Sequence, residues 1–282
     1  MPINYSYPRY LEAKRSVDDR ALNQGVLQSL RDAIAAKSDA AKSDAAKSDA
    51  PLRILEIGGG TGSMARRLVA WGVLDKAHYT LVDSDADSLA AIPTEPLAGL
   101  VLRPIHSDIS KFLESCDEQF DLVIAHAVLD LIDLDKFLPL LWKCCAKGAR
   151  YWFTINFDGE SVFMPELPED EAIWHAYHQS MNRRPGSCHA GRKLFAQLAN
   201  SGARIEASGS SDWVVHASGA VYPHDEAYFL HHIVHTVDNE LRSAPPLDAT
   251  AFAAWIATRH AQIDSADLVY IAHQLDFVGT CP

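Results

Sequence analysis

The run Glu56-Ile57-Gly58-Gly59-Gly60-Thr61-Gly62 constrains this chain more than any other segment. It follows Arg53–Ile57, a short apolar run that reads as a buried strand, and it opens Ser63–Trp71, which reads as a helix. Glycines at such a bend let the backbone approach a ligand, and the first turn of a helix offers unpaired N–H groups. A tight turn with no ligand is the plainer alternative, and companion residues weigh against it. Asp83 ends the next predicted strand, Tyr79–Val82, where a carboxylate can accept both hydroxyls of a ribose. The competing role for Asp83 is a helix N-cap, which Asp85 fills better. Asp108, in His106-Ser107-Asp108-Ile109 after the strand Leu100–Ile105, can hold an adenine amino group while Ile109 packs on the ring. Taken alone, Asp108 reads as a cap.

The rest of the chain sets these residues in an alternating pattern. Phe120–Ala125 and Tyr151–Phe157 read as further strands, and Asp85–Ala91 and Leu134–Cys145 as helices. Alternation of this kind predicts an α/β fold, a mostly parallel sheet covered by helices on both faces, with right-handed crossovers. Residues 1–35 form a helical arm, with Val17, Leu22, Val26, Leu27, Leu30 and Ile34 at helix-like spacing. Residues 36–50 are three copies of Ala-Lys-Ser-Asp-Ala, with no apolar side chain larger than alanine, and read as a solvated linker or an exposed helical extension. Residues 51–282 form the main domain. Helical insertions are expected near 159–190 and 222–263, before a final strand, Leu268–Val278.

Other functions are set aside on composition and spacing. Acidic residues number 37 against 25 basic ones, a net charge of −12 that repels phosphate backbones and argues against nucleic-acid binding. No apolar run approaches the ~18–20 residues of a membrane span, and the N-terminus carries no signal-peptide pattern. Five cysteines without a Cys-x-x-Cys pair suggest neither a disulfide framework nor a zinc site, and a reducing cytoplasm is the expected location. No Gly-Lys-Ser/Thr ends the loop, so it is not a P-loop. A dinucleotide dehydrogenase would carry Gly-x-Gly-x-x-Gly, whereas here the third glycine comes one residue early.

Together these residues resemble the class I, Rossmann-like S-adenosylmethionine-dependent methyltransferases. Glu56-x-Gly58-x-Gly60-x-Gly62 is similar to the family's first motif, Asp83 to its ribose ligand, and Asp108-Ile109 to its adenine-contacting pair. Ala125-His126-Ala127-Val128-Leu129-Asp130 looks like the loop that borders cofactor and substrate. The clear likeness covers about residues 52–157. It implies a doubly wound seven-stranded sheet in the order 3-2-1-4-5-7-6. It also implies S-adenosylmethionine as cofactor, bound by Glu56, Gly58, Gly60, Gly62, Asp83, Ser84, Asp108, Ile109 and Ala125. In similar proteins an N-terminal arm covers the cofactor, which brings in Tyr10 and gives Arg20 or Lys14 the cofactor's carboxylate.

Methyl transfer asks the protein to align the acceptor and, for a hydroxyl or ammonium, to remove a proton. His126, at the carboxyl end of the fourth strand, is the expected base. His175 with His178, and His231 with His235, share helix faces, but no third ligand completes a metal site and none is expected. The Arg183-Arg184 pair in a Gly/Pro loop is a possible anion clamp or a solvated turn. The acidic balance favours a small-molecule acceptor, O- or N-methylated. A protein-directed enzyme and a non-catalytic S-adenosylmethionine-binding protein are the alternatives.

Overall fold

The structure, a computed structural model, describes residues 4–43 and 50–282. The chain opens with three helices, α1 (Tyr7–Ala13), α2 (Arg15–Ala21) and α3 (Gln24–Ser43). Helix α3 thus runs on into the Ala-Lys-Ser-Asp-Ala copies, alanine and lysine being good helix formers. Residues 44–49 of those copies lie outside the described residues. Next come β1 (Leu52–Ile57), α4 (Ser63–Ala70), β2 (Ala77–Asp83), α5 (Ala86–Ala90), β3 (Leu100–His106), α6 (Ile109–Ser115) and β4 (Phe120–His126). Then follow α7 (Leu134–Lys143), β5 (Cys145–Met164), α8 (Asp170–Met181), α9 (Ala190–Asn200), β6 (Arg204–Ser210) and β7 (Trp213–Val215). The chain ends with α10 (Glu226–Leu241), α11 (Ala249–Asp264) and β8 (Val269–Thr280).

The sheet has eight strands in the order β3-β2-β1-β4-β5-β8-β6, with β7 also paired to β8. Strands β1 to β5 pair in parallel with one another, and β8 runs antiparallel to β5, β6 and β7. This is the expected Rossmann-like order with one strand more, because Ser211 and Asp212 interrupt the edge and leave β7 as a separate short strand.

Side-chain alternation divides the core between the two sheet faces. Ile54, Leu122 and Ile124 join one cluster with Met64 and Leu68 of α4 and Val26, Leu27 and Leu30 of α3. Leu55, Ile57, Val123 and Ala125 join the other with Phe137 and Leu141 of α7 and Leu194 and Leu198 of α9. The arm is therefore a layer of the domain, its apolar stripe packed on the sheet.

Two elements differ from the sequence expectation. Helix α6 is under two turns long, too short for periodicity to reveal. Strand β5 reaches Met164, so residues 159–164 are strand where a helical insertion was expected. Its alternation is broken by register shifts between Phe153 and Asn156 and between Phe157 and Ser161.

Candidate active site

The pairing of Ile57 with Val82 on one side and Ala125 on the other sets the carboxyl ends of β2, β1 and β4 side by side. There the strand order reverses, the place where open α/β sheets hold ligands. A cavity of about 640 Å³ opens at this point.

Its floor is the glycine loop. Gly58 and Gly60 have φ of 66° and 51°, backbone that side chains disfavour. A Cβ on Gly58 would also lie 2.7 Å from Val128 Cγ2, and one on Gly60 2.7 Å from Leu11 Cδ1 of the arm. The Asp83 carboxylate accepts the Gly60 N–H at 2.7 Å and the Asp85 N–H at 2.8 Å, which fixes it beside the loop. Asp85 caps α5, accepting Ser88 N–H at 3.0 Å. The N-terminus of α4 has no side-chain cap, and Thr61 and Ser63 line the cavity there. Glu56 also lines it, fully desolvated; burial pushes its carboxyl up to about 8, opposed by the Tyr79 hydroxyl, which donates to Oε2 at 2.9 Å.

The arm closes over this floor. Glu12 accepts the Thr61 hydroxyl at 2.7 Å and pairs with Arg66 at 3.0 Å, while Tyr10, Leu11, Lys14 and Asp18 reach the cavity. Asp18 is buried and accepts Trp213 Nε1–H at 2.9 Å; it lies 3.0 Å from Lys14 Nζ and 2.9 Å from His126 Nε2. Burial works to raise its pKa, but Lys14 and His126 outweigh it and hold the carboxyl well below its usual range. Burial lowers His126 to about 4, so the ring is neutral, donating from Nε2 to Asp18 and accepting the Thr154 hydroxyl at Nδ1 (2.8 Å). Both ring nitrogens are thus committed, which leaves the expected base no free lone pair: His126 ties the arm to β4.

The structure brings the expected residues Glu56, Gly58, Gly60, Asp83, Ser84, Ile109, His126 and Tyr10 to one cavity. It does not bring the others there. Arg20 is held bidentately by Glu226 at 2.6 and 2.9 Å, because that fully buried carboxylate requires a cation. Asp108 is exposed and caps α6, accepting the Lys111 N–H at 3.0 Å. Ala125 is sealed within β4, and Gly62, with φ of 68°, forms the turn into α4 behind the lining. Among the described residues, no group of three or more His, Cys, Asp or Glu is arranged to hold a metal ion. No helix of the described residues is long and apolar enough to cross a membrane.

The far wall is aromatic. Trp174, Tyr177 and Met181 of α8, His232 and Thr236 of α10, Tyr270 and Gln274 of β8, and Trp213 all line it. The i, i+3, i+7 spacing of Trp174, Tyr177 and Met181 is the sequence signal that sets them on one helix face. Two backbone positions on this wall are strained, Ala127 at φ 54° and Ile155 at φ 57°. The second is held by its N–H donating to buried Asp276 at 2.7 Å. Asp130, in the loop after β4, also lines the cavity, and burial raises it to about 6.

A family model described as "Methyltransferase domain" matches residues 54–148, about a third of the chain. A solved protein from Bacillus halodurans, provisionally described as a methyltransferase, is 11% identical. It aligns over 83% of this chain and 94% of its own, with a TM-score of 0.51. A cyclopropane synthase, MmaA2, from Mycobacterium tuberculosis (11% identity, 87% and 83% coverage) reaches 0.47. A phosphoethanolamine N-methyltransferase from Haemonchus contortus, solved with phosphomonomethylethanolamine and S-adenosylhomocysteine (13%, 100% and 61%), reaches 0.45. No curated protein sequence matches the chain.

Proposed function

We propose, from the match of residues 54–148 to a methyltransferase domain, that this protein is a class I S-adenosylmethionine-dependent methyltransferase acting on a small molecule held against the aromatic wall opposite its glycine loop. The observation that carries this reading is the continuity of one chamber. The same cavity runs from Asp83 and the glycine loop to Trp174, Tyr177 and Tyr270. Its volume, about 640 Å³, falls in the ~300–1,000 Å³ range of small-molecule sites. Helices α1, α8 and α10 contribute to its walls, and this enclosure suits a small acceptor better than a polypeptide.

The donor set fits the cofactor. Each Asp83 oxygen accepts one backbone N–H and keeps a lone pair for a ribose hydroxyl. The uncapped first turn of α4 offers N–H groups and a positive helix end to a carboxylate. Ile109 supplies an apolar surface for the adenine ring, and Glu56, Ser84 and Tyr10 complete that end of the chamber. When bound, S-adenosylmethionine supplies a methyl group already activated by its positive sulfur. The protein binds and orients the acceptor, keeps bulk water out beneath the arm, and takes up a proton where the acceptor carries one.

The test is calorimetry with S-adenosylhomocysteine. Wild type should bind it, and Asp83→Ala should lose about 10-fold or more, as expected for removing hydrogen bonds to a charged group. Unchanged affinity in that variant would remove Asp83 from the ribose.

A further inference from the structure

We propose that the acceptor is an amine on an apolar or aromatic body, bound as its ammonium by Asp130 in the chamber that Tyr7, Tyr10 and Tyr177 also line, and that Asp130 takes its proton. The inference rests on the methyltransferase reading above and names the acceptor class of that same chamber.

The charge pattern of the walls comes first. The chamber carries two permanent cations, Lys14 and Arg184, and each is neutralised: Lys14 by Asp18 at 3.0 Å, Arg184 by Glu240. Its histidines, His126 and His232, are both lowered to about 4 by burial and are neutral. No cation among the lining residues is left to receive a carboxylate or phosphate. Asp130 is the converse case. Among the described residues its carboxylate accepts its own backbone N–H and senses the Lys14 charge, but has neither a side-chain hydrogen-bond donor nor an ion-pair partner. A carboxylate without a cationic partner inside a chamber is costly unless a ligand supplies the positive charge.

The surroundings of Asp130 match that ligand. Burial first, and then the carboxylates of Asp83, Asp85 and Asp130, push the Tyr7 phenol up to about 12. Burial, then Asp130 and Glu240, do the same for Tyr177. Both phenols thus sense the Asp130 charge from the walls of the same chamber. The hydroxyls of Tyr7, Tyr10 and Tyr177 have no hydrogen-bond partner among the described residues. Trp174 Nε1 and Gln274 Oε1, buried in the same wall, are likewise unsatisfied. Aromatic rings beside a carboxylate attract an ammonium through both the ring faces and the charge. The idle phenol and amide oxygens offer its remaining N–H groups acceptors.

The proton step follows from the same surroundings. Loss of hydration makes the ammonium more acidic and burial makes Asp130 more basic; both act against the stabilisation of the ammonium by the rings and the carboxylate, and narrow the gap the proton must cross. The proton passes from nitrogen to an Asp130 oxygen. The nitrogen lone pair so freed forms the N–C bond to the methyl carbon as the S–C bond breaks, its electron pair remaining on sulfur. Asp130 returns its proton to solvent as product leaves.

Three probes of similar shape test the claim on the full chain: phenethylamine, phenethyl alcohol and 3-phenylpropionate, titrated against tryptophan fluorescence, since Trp174 and Trp213 line the site. Wild type should bind the amine about 10-fold or more tighter than either alternative, and Asp130→Asn should lose that preference while binding the alcohol as before. Tyr177→Phe should weaken amine binding less. S-adenosylhomocysteine affinity is measured on each protein, as the check that the variant is folded. If wild type does not bind S-adenosylhomocysteine, the methyltransferase reading fails. If it does, but the acid or alcohol binds as tightly as the amine, or none of the three saturates, the amine inference alone is overturned. Unchanged amine affinity in folded Asp130→Asn overturns it too.

Discussion

His126 and Asp18 form a buried polar pair at the edge of the site, with both ring nitrogens of His126 engaged by the fold. The sequence marked His126 by its position after β4, and that placement was legible because strand ends in a parallel sheet follow from the alternating pattern. Its commitment was not legible, because its partner Asp18 lies 108 positions away in the arm. The pair also sets an acid limit on stability. His126 is depressed from 6.5 to about 4, so its contribution is full above 6.5 and is lost as pH falls toward 4. Asp18, depressed below the usual carboxylate range, contributes in the same direction at still lower pH. Glu56 acts oppositely: raised from 4.5 to about 8, it contributes most below 4.5 and loses that contribution as pH rises to 8. Melting temperatures across pH 4–8 should therefore fall less steeply on the acid side in His126→Gln, and less steeply on the alkaline side in Glu56→Gln, than in wild type. Parallel curves for a variant and wild type would refute that residue's assignment.

Among the elements, the arm departs most from its sequence appearance. Apolar spacing announced helices before residue 35, but nothing local shows what they cover, since every partner comes from distant strands and helices. Arg20 was expected at the cofactor as an unpaired cation; only the fold shows Glu226, with no solvent exposure, waiting for it. Arg20→Ala should cost about 1–3 kcal/mol in urea denaturation, between the values for exposed and fully buried pairs, since Arg20 is half exposed. Gly60→Ala should loosen the arm directly. The added methyl meets Leu11 at 2.7 Å on backbone with φ of 51°, a strain of ~1–3 kcal/mol. Limited proteolysis should then cut within residues 7–22 faster than in wild type. The shortest elements escaped sequence reading for a related reason. In α6, Asp108 reads alone as a cap and beside Asp83 and the glycine loop as a ligand, and only three-dimensional placement separates the two.

For the molecule as a whole, the doubly wound sheet was the most legible level, because buried parallel strands leave apolar runs that helices must separate. The extra strand and the length of β5 were not legible, since bulges destroy the period that reveals strands. The arm belongs to this scale too: Val17, Leu22, Val26, Leu27 and Leu30 are at most 3% exposed within the principal core. A fragment of residues 51–282 should therefore bind a hydrophobic dye and melt without a cooperative transition in calorimetry; a sharp transition would make the arm an appendage. The same architecture dictates an order of assembly. Asp18 waits for Trp213, Arg20 for Glu226 and Asn23 for Asp276, bonds that bridge 195, 206 and 253 positions. At ~5–20 residues per second on the ribosome, the arm stays without these partners for on the order of ten seconds or more. The arm is thus made long before it can settle, and the chamber closes only after the strand that carries Asp276 has been synthesised.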